Sequence, residues 1–451
     1  MLRSMYFHVR KYSLVYLGLV IYLLFFVSVA STGWFDFLFS GAAMHVGAKG
    51  IDFYQVPRGA WAFWHGGSMT GDPLADGSQY GKDFFANGNV YHPVFTLTFG
   101  SFLTLFDPAQ APYVWLWIKL PLSLLVIAYF FWSFRESKHV SFATFILLAN
   151  FSIYLELAAW QFHFVLNMLI MLLLIALVKR LSSTVGAFWY WLGLLVKPIG
   201  LLFVPVLLFK GRWKVVVLGV ALFILSTLAF SIHGTGDYYT NNLLANLSTS
   251  GTSGPNQIIT FSALLHYITK WPDIVYKAIQ YIPLLIILFL SALKRIPIAK
   301  AVLLYVAYYL CFYEQVFEYQ WSTLAYVLAV CVVTCAAFQT RIAKFCILLT
   351  CLPDCFALLN AWHIDVKDLG YLGMIPGAVA WEWMVLSKLI PLFLVLICGL
   401  FADVKPIFRQ VKALWFALYK VNEQLDMFGD EPASREPSDK ENLAEHQEIT
   451  S

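Results

Sequence analysis

At 451 residues, 60% hydrophobic and 12% charged, with mean hydropathy +0.71, the chain carries about half the charged fraction of a soluble protein. Its apolar runs are continuous, each near 20 residues, and lack the alternation of a membrane β-barrel; this excludes an ordinary soluble domain and indicates an all-α polytopic membrane protein. The net charge of +4 is uneven: residues 421–451 hold nine acids against Arg435 and Lys440, and the positive remainder sits in short loops, where it marks orientation rather than nucleic-acid binding.

In chain order, Arg3, Arg10 and Lys11 precede a first uncleaved span over 14–33. Further basic clusters lie at Arg135/Lys138, Lys179/Arg180, Lys210/Arg212/Lys214, Lys294/Arg295/Lys300, Arg341/Lys344 and Lys405/Arg409/Lys412. By the positive-inside rule all of these are cytoplasmic, and so are both termini. The spans fall near 113–133, 140–158, 162–178, 215–231, 276–293, 299–314, 321–338, 344–361 and 382–402. With the first they make ten. Residues 94–106 are apolar but short, and read as an interfacial helix in a large first outer loop, 34–112. A second outer loop covers 232–275. Residues 184–209 are basic at both ends yet too short for two full crossings, and Lys197-Pro198 lies at their middle; two short helices with Lys197 at the tip fit best. No internal repeat is evident. The domain is thus 1–420, followed by an acidic tail, 421–451, whose composition predicts disorder. The seven cysteines all fall in apolar runs without a C-x-x-C pair, which argues against a disulfide framework or a zinc site.

Chemistry-bearing residues collect in the outer loops. Asp36 follows the first span directly, and a carboxylate beside hydrocarbon is costly to keep ionised. Gln161-Phe162-His163 with Asn167 opens a span, a pattern that is more often helix–helix glue than a ligand set. Lys197 is suited to neutralise a phosphate as a point charge, or to snorkel. Asn256 and Gln257 suit sugar hydroxyls or a helix cap. Glu314 and Glu318, four apart, share a helical face near Tyr319 and Gln320. No cluster demands a metal.

These landmarks, in this order, resemble the GT-C class of polyprenyl-phosphate-sugar-dependent transferases, and glycosyltransferase family 87 in particular. The resemblance rests on Asp36-Phe37, Gly41-Ala42-Ala43, Gly50-Ile51-Asp52-Phe53-Tyr54, Tyr91-His92-Pro93-Val94-Phe95, Trp160-Gln161-Phe162-His163, Gly193 through Lys197-Pro198, Arg212-Trp213 and Asn256-Gln257, and it covers about residues 30–335. Where the family places a late histidine pair, this chain reads Phe317-Glu318-Tyr319-Gln320. The resemblance implies a GT-C fold of about 10–12 transmembrane helices in a bacterial plasma membrane. It implies a polyprenyl-phosphate sugar as donor, with no cofactor, and a glycan or glycolipid acceptor on the extracytoplasmic face. Asp36 is then the general base and Lys197 the donor-phosphate ligand. Asp52, Tyr54, Tyr91, His92, Gln161, Asn256, Gln257, Glu318 and Gln320 become substrate-binding positions. The alternatives are an O-antigen ligase or polymerase-like enzyme, a transporter or flippase for a lipid-linked solute, and a scaffold that has lost catalysis.

Overall fold

A computed structural model describes residues 2–35, 53–69, 89, 91–231, 259–269, 271–313, 316–354 and 378–401, with side chains in the first segment from residue 11 onward. All of these residues belong to one compact unit, Met1–Asp403, and among them there is helix and turn but no strand. The Glu/Asp-rich tail lies outside the described residues.

Helix α1 (Leu2–Val27) runs on through a π-turn, Ser28–Thr32, and stops at Gly33, whose φ of 63° is open to glycine at little cost. Two short helices follow in the first large loop, α2 (Gln55–Trp64) and α3 (Pro93–Leu103). His92 starts α3 by accepting the Val94 N–H on its ring, with Pro93 in the first turn. The two pack closely because Gly100 of α3 meets the Val56 carbonyl of α2. Helix α4 (Ala111–Ser133) is a full span. The next span is bent: α5 (Val140–Ala149) ends at extended Asn150, whose side chain caps α6 (Phe151–Ala158) through the Ser152 N–H at 2.8 Å.

Helix α7 (His163–Val178) leads to α8 (Ser183–Val196). At Lys197 the backbone is extended, because the following proline disfavours a helical residue before it. A 3₁₀ turn, Pro198–Phe203, and α9 (Val204–Phe209) then run back, so 184–209 is a broken hairpin with Lys197 at the break. Helices α10 (Trp213–Ser231), α11 (Phe261–Ile268), α12 (Asp273–Ala292) and α13 (Ile298–Phe312) follow. A 3₁₀ turn, Glu318–Trp321, opens α14 (Ser322–Thr334), and α15 (Arg341–Cys351) and α16 (Ala378–Phe401) complete the order.

Among the described residues, six helices are long and apolar enough to cross a bilayer: Lys11–Thr32, Ala111–Ser133, Val140–Ala158, Trp213–Phe230, Asp273–Ala292 and Glu382–Phe401. This is the architecture of an integral membrane protein. The other expected spans are shorter, with 16 residues in α7, 15 in α13, 13 in α14 and 11 in α15. Helices α7, α13 and α14 form the centre of the bundle, and nearly every side chain on them is buried. Protein rather than lipid surrounds them, so they need not match the hydrocarbon thickness; Ser322–Thr334 is extended at its start by the 3₁₀ turn Glu318–Trp321, and a second turn, Ala336–Gln339, follows after extended Cys335. Chain direction gathers the basic loops 134–139, 179–182 and 210–212 at one end. The 159–162 turn, Lys197 and Glu318–Trp321 lie towards the other.

A Cβ on Gly100 would stand 2.5 Å from the Val56 carbonyl oxygen, whereas one on Gly193 would meet only Leu166 Cδ1 at 3.8 Å. Gly100→Ala is therefore expected to cost about 1–3 kcal/mol, and Gly193→Ala to be tolerated. Thermal unfolding of the two purified variants in detergent checks this; equal melting points would contradict the close α2–α3 packing.

Candidate functional site

Four segments converge at the end opposite the basic loops. The α6–α7 turn carries Trp160 with φ 52°, unusual for a residue with a Cβ. Its carbonyl is held by Trp115 Nε1 at 3.1 Å, and the turn presents buried Gln161. Gln161 Oε1 accepts from the Tyr91 hydroxyl at 3.3 Å, and the Lys197 ammonium lies 5.8 Å from the centre of the Tyr91 ring. Tyr91, Gln161 and Lys197, expected from three separate motifs, thus meet in one place.

Beneath them lies a buried polar layer. Glu156 Oε2 accepts from Ser322 Oγ at 2.8 Å and from Asn167 Nδ2 at 3.1 Å. Asn167 also donates to Ser322 Oγ at 2.7 Å and accepts from Thr323 Oγ1 at 2.6 Å. Thr323 in turn pairs with His163 Nε2 at 2.8 Å. Lys119, wholly buried in α4, donates to the Glu156 carbonyl at 3.1 Å. Both Lys119 and Lys197 lie within electrostatic range of Glu156 and His163. Glu156 Oε1 and His163 Nδ1 are buried and have no hydrogen-bond partner among the described residues.

The other expected residues are held elsewhere. The Tyr54 hydroxyl donates to the Pro108 carbonyl at 3.3 Å, and His92 Nε2 lies 3.2 Å from Thr227 Oγ1 of α10. Glu318 forms an ion pair with Lys388 of α16 at 2.9 Å and accepts from the Asp354 N–H at 3.2 Å. Gln320 Oε1 accepts from the Phe317 N–H at 3.1 Å, closing its own turn. Tyr319, where the resemblance predicts a histidine, sets its ring 6.1 Å from that of His163. Asp36, Asp52, Asn256, Gln257 and Glu314 lie outside the described residues. The residue before Asp36, Phe35, packs edge-on against Tyr154 of α6 at 5.8 Å, and its N–H is bonded to Ser28 Oγ.

Sequence reasoning singled out neither Ser322 and Thr323 nor Lys119 and Lys388, and of these only the lysines carry a signal. Each is a single lysine within a long apolar helix, and that isolation is the signal that marks them. Beside the polar layer, α3 and the outer face of α4 frame an apolar groove of about 840 Å³ lined by Phe102, Gln110, Tyr113, Trp117, Pro121 and Leu125. Its upper end reaches the site, since the Tyr113 ring packs 5.4 Å from that of Trp160. No protein-family model matches the chain, and a search of curated proteins finds no match.

Burial raises the Glu318 carboxyl, but the Lys388 ammonium and the bond from Asp354 outweigh it and hold the group below the usual carboxylate range. A lowered pKa means that the stabilisation is present above the ordinary carboxylate range and is lost as pH falls through the lowered value. Lys388→Met leaves Glu318 without its counter-ion and is expected to cost about 3–5 kcal/mol, with Lys388→Met/Glu318→Gln recovering most of it. Unfolding of the three proteins across acid and neutral pH measures this. A single variant as stable as the parent would show that the pair carries nothing.

Proposed function

We propose that this chain is a membrane glycosyltransferase of GT-C architecture. It moves a hexose, mannose being the family's sugar, from a polyprenyl-phosphate donor to a glycan or glycolipid acceptor on the extracytoplasmic side of a bacterial plasma membrane. The observation that carries the reading is the meeting of Lys197, the expected donor-phosphate ligand, with Tyr91 and Gln161, two expected substrate-binding residues, from distant segments. The apolar groove beside them supports it, being open along an apolar helix and ending at the Trp160–Gln161 turn.

In this mechanism the Asp36 carboxylate takes the proton of the acceptor hydroxyl as that oxygen attacks the anomeric carbon. The bond between that carbon and the phosphate oxygen breaks, and the configuration inverts. The electron pair leaves with the polyprenyl phosphate, whose added charge Lys197 stabilises. Gln161 orients sugar hydroxyls while Tyr91 supports both it and the lysine. Glu318, engaged with Lys388, acts in this scheme by shaping the end of α14.

A second reading has a specific observation in its favour. Lys119, Glu156 and Lys388 are charges buried within spans, as a transporter of a lipid-linked solute requires. Purified chain in liposomes separates the two, because a transporter moves donor across the bilayer without cleaving it.

Asp36→Asn is expected to lower hexose transfer about 10²–10⁴-fold while leaving donor binding intact. Lys197→Ala is expected to weaken donor binding roughly 10–100-fold, the worth of one charge-assisted bond. Turnover with labelled polyprenyl-phosphate hexose and binding of the unreacted donor read the two effects apart. A folded Asp36→Asn protein with normal turnover sinks the base assignment, and unchanged donor affinity in Lys197→Ala returns that lysine to a structural part.

A further inference from the structure

At the opposite end of the bundle, loop 134–139 joins α4 to α5 and carries Arg135, Lys138 and His139, with Glu136 as its one acid. The first turns of α15 meet it. Lys344 Nζ lies 3.0 Å from His139 Nδ1, so the ammonium donates to an imidazole nitrogen rather than to a carboxylate. The same ammonium sits 5.4 Å from the centre of the Phe142 ring. Arg341 lies one turn before Lys344, and residues 339–345 contain no acid. Lys138 acts electrostatically on both His139 and Lys344. Partial desolvation and then these two lysines lower the His139 pKa against a hydrogen bond with Gln339. The positive-inside bias accounts for basic residues in this loop, but not for a lysine turned onto a histidine that another lysine already opposes.

Two neighbours set the level of this cluster. Trp132, exposed at the end of α4, carries the Arg135 guanidinium 5.7 Å from its ring centre, the amphipathic pairing of a membrane–water boundary. On α15, Ile342 and Phe345 flank Lys344 and are 71% and 62% exposed, which suits contact with acyl chains. Cations and exposed apolar side chains therefore stand side by side at headgroup height.

We propose that Lys138, His139, Arg341 and Lys344 bind the phosphate of an anionic phospholipid whose acyl chains lie along Ile342 and Phe345. The phosphate relieves the repulsion among the three nitrogenous groups nearest one another, and the helix face supplies the apolar contact that a free phosphate lacks. This site is independent of sugar transfer at the other end.

The experiment uses full-length protein in nanodiscs of phosphatidylcholine doped with phosphatidylglycerol, with retained lipid counted by native mass spectrometry. Lys138→Gln and Lys344→Gln are each expected to lower phosphatidylglycerol retention about fivefold, whereas Lys344→Arg and the exposed Lys214→Gln keep it. A second readout is the His139 imidazole resonance, which is expected to move towards its protonated position with phosphatidylglycerol and to stay put with inorganic phosphate. Equal retention of the two lipids, unchanged retention in the double Gln variant, or an equal loss in Lys214→Gln overturns the proposal. A His139 shift with inorganic phosphate alone overturns the lipid assignment.

Discussion

The position of the Trp160–Gln161 turn, on which Tyr91 is seated, depends on one buried carboxylate. Glu156 Oε2 is shared by Asn167 of α7 and Ser322 of α14, and the chain of bonds continues through Thr323 to His163. A polar group stranded away from water costs several kcal/mol, so sliding any of these helices would be penalised several times over. The layer acts as a register lock between α6, α7 and α14 where apolar packing alone permits many registers. Lys119 adds α4 to the lock by bonding the Glu156 backbone.

From that lock the site follows mechanically. Helices α6 and α7 are joined by only four residues, so fixing Glu156 and His163 fixes the turn between them, with Trp160 in its uncommon conformation and Gln161 beneath Tyr91. Lys197 arrives from another direction, at the tip of a hairpin that Pro198 interrupts. Anchors at the far end hold that hairpin, where Lys210 donates to the Leu293 carbonyl and Arg212 to that of Leu177. A cation on an irregular tip between two short helices is placed by these supports.

How much of this was legible in the sequence differs by layer. Apolar run length and loop charge located the long helices but not α2 or α11, and Lys197-Pro198 marked the broken hairpin because proline constrains its neighbour regardless of context. The bend at Asn150 was not legible, since an asparagine inside an apolar run reads as tolerated polarity until its cap on Ser152 is seen. The short central helices were read as full spans because composition does not reveal whether an apolar helix faces lipid or protein. Motif order singled out Tyr91, Gln161 and Lys197, which the structure brings together. It did not foresee that Glu318 would be taken by Lys388, since that pairing joins residues seventy positions apart. His163 and Asn167 were read as helix–helix glue, and their bonds to α14 fit that description.

The central claim is that Lys197, over Tyr91 and Gln161, receives the phosphate of a lipid-linked sugar whose tail lies along α4. The most direct measurement is a structure of the protein with polyprenyl phosphate bound. The expected result is a phosphate within hydrogen-bond reach of the Lys197 ammonium and an isoprenoid chain against Tyr113 and Trp117. A phosphate seated away from Lys197, with the groove beside α4 filled only by bulk lipid, would contradict it.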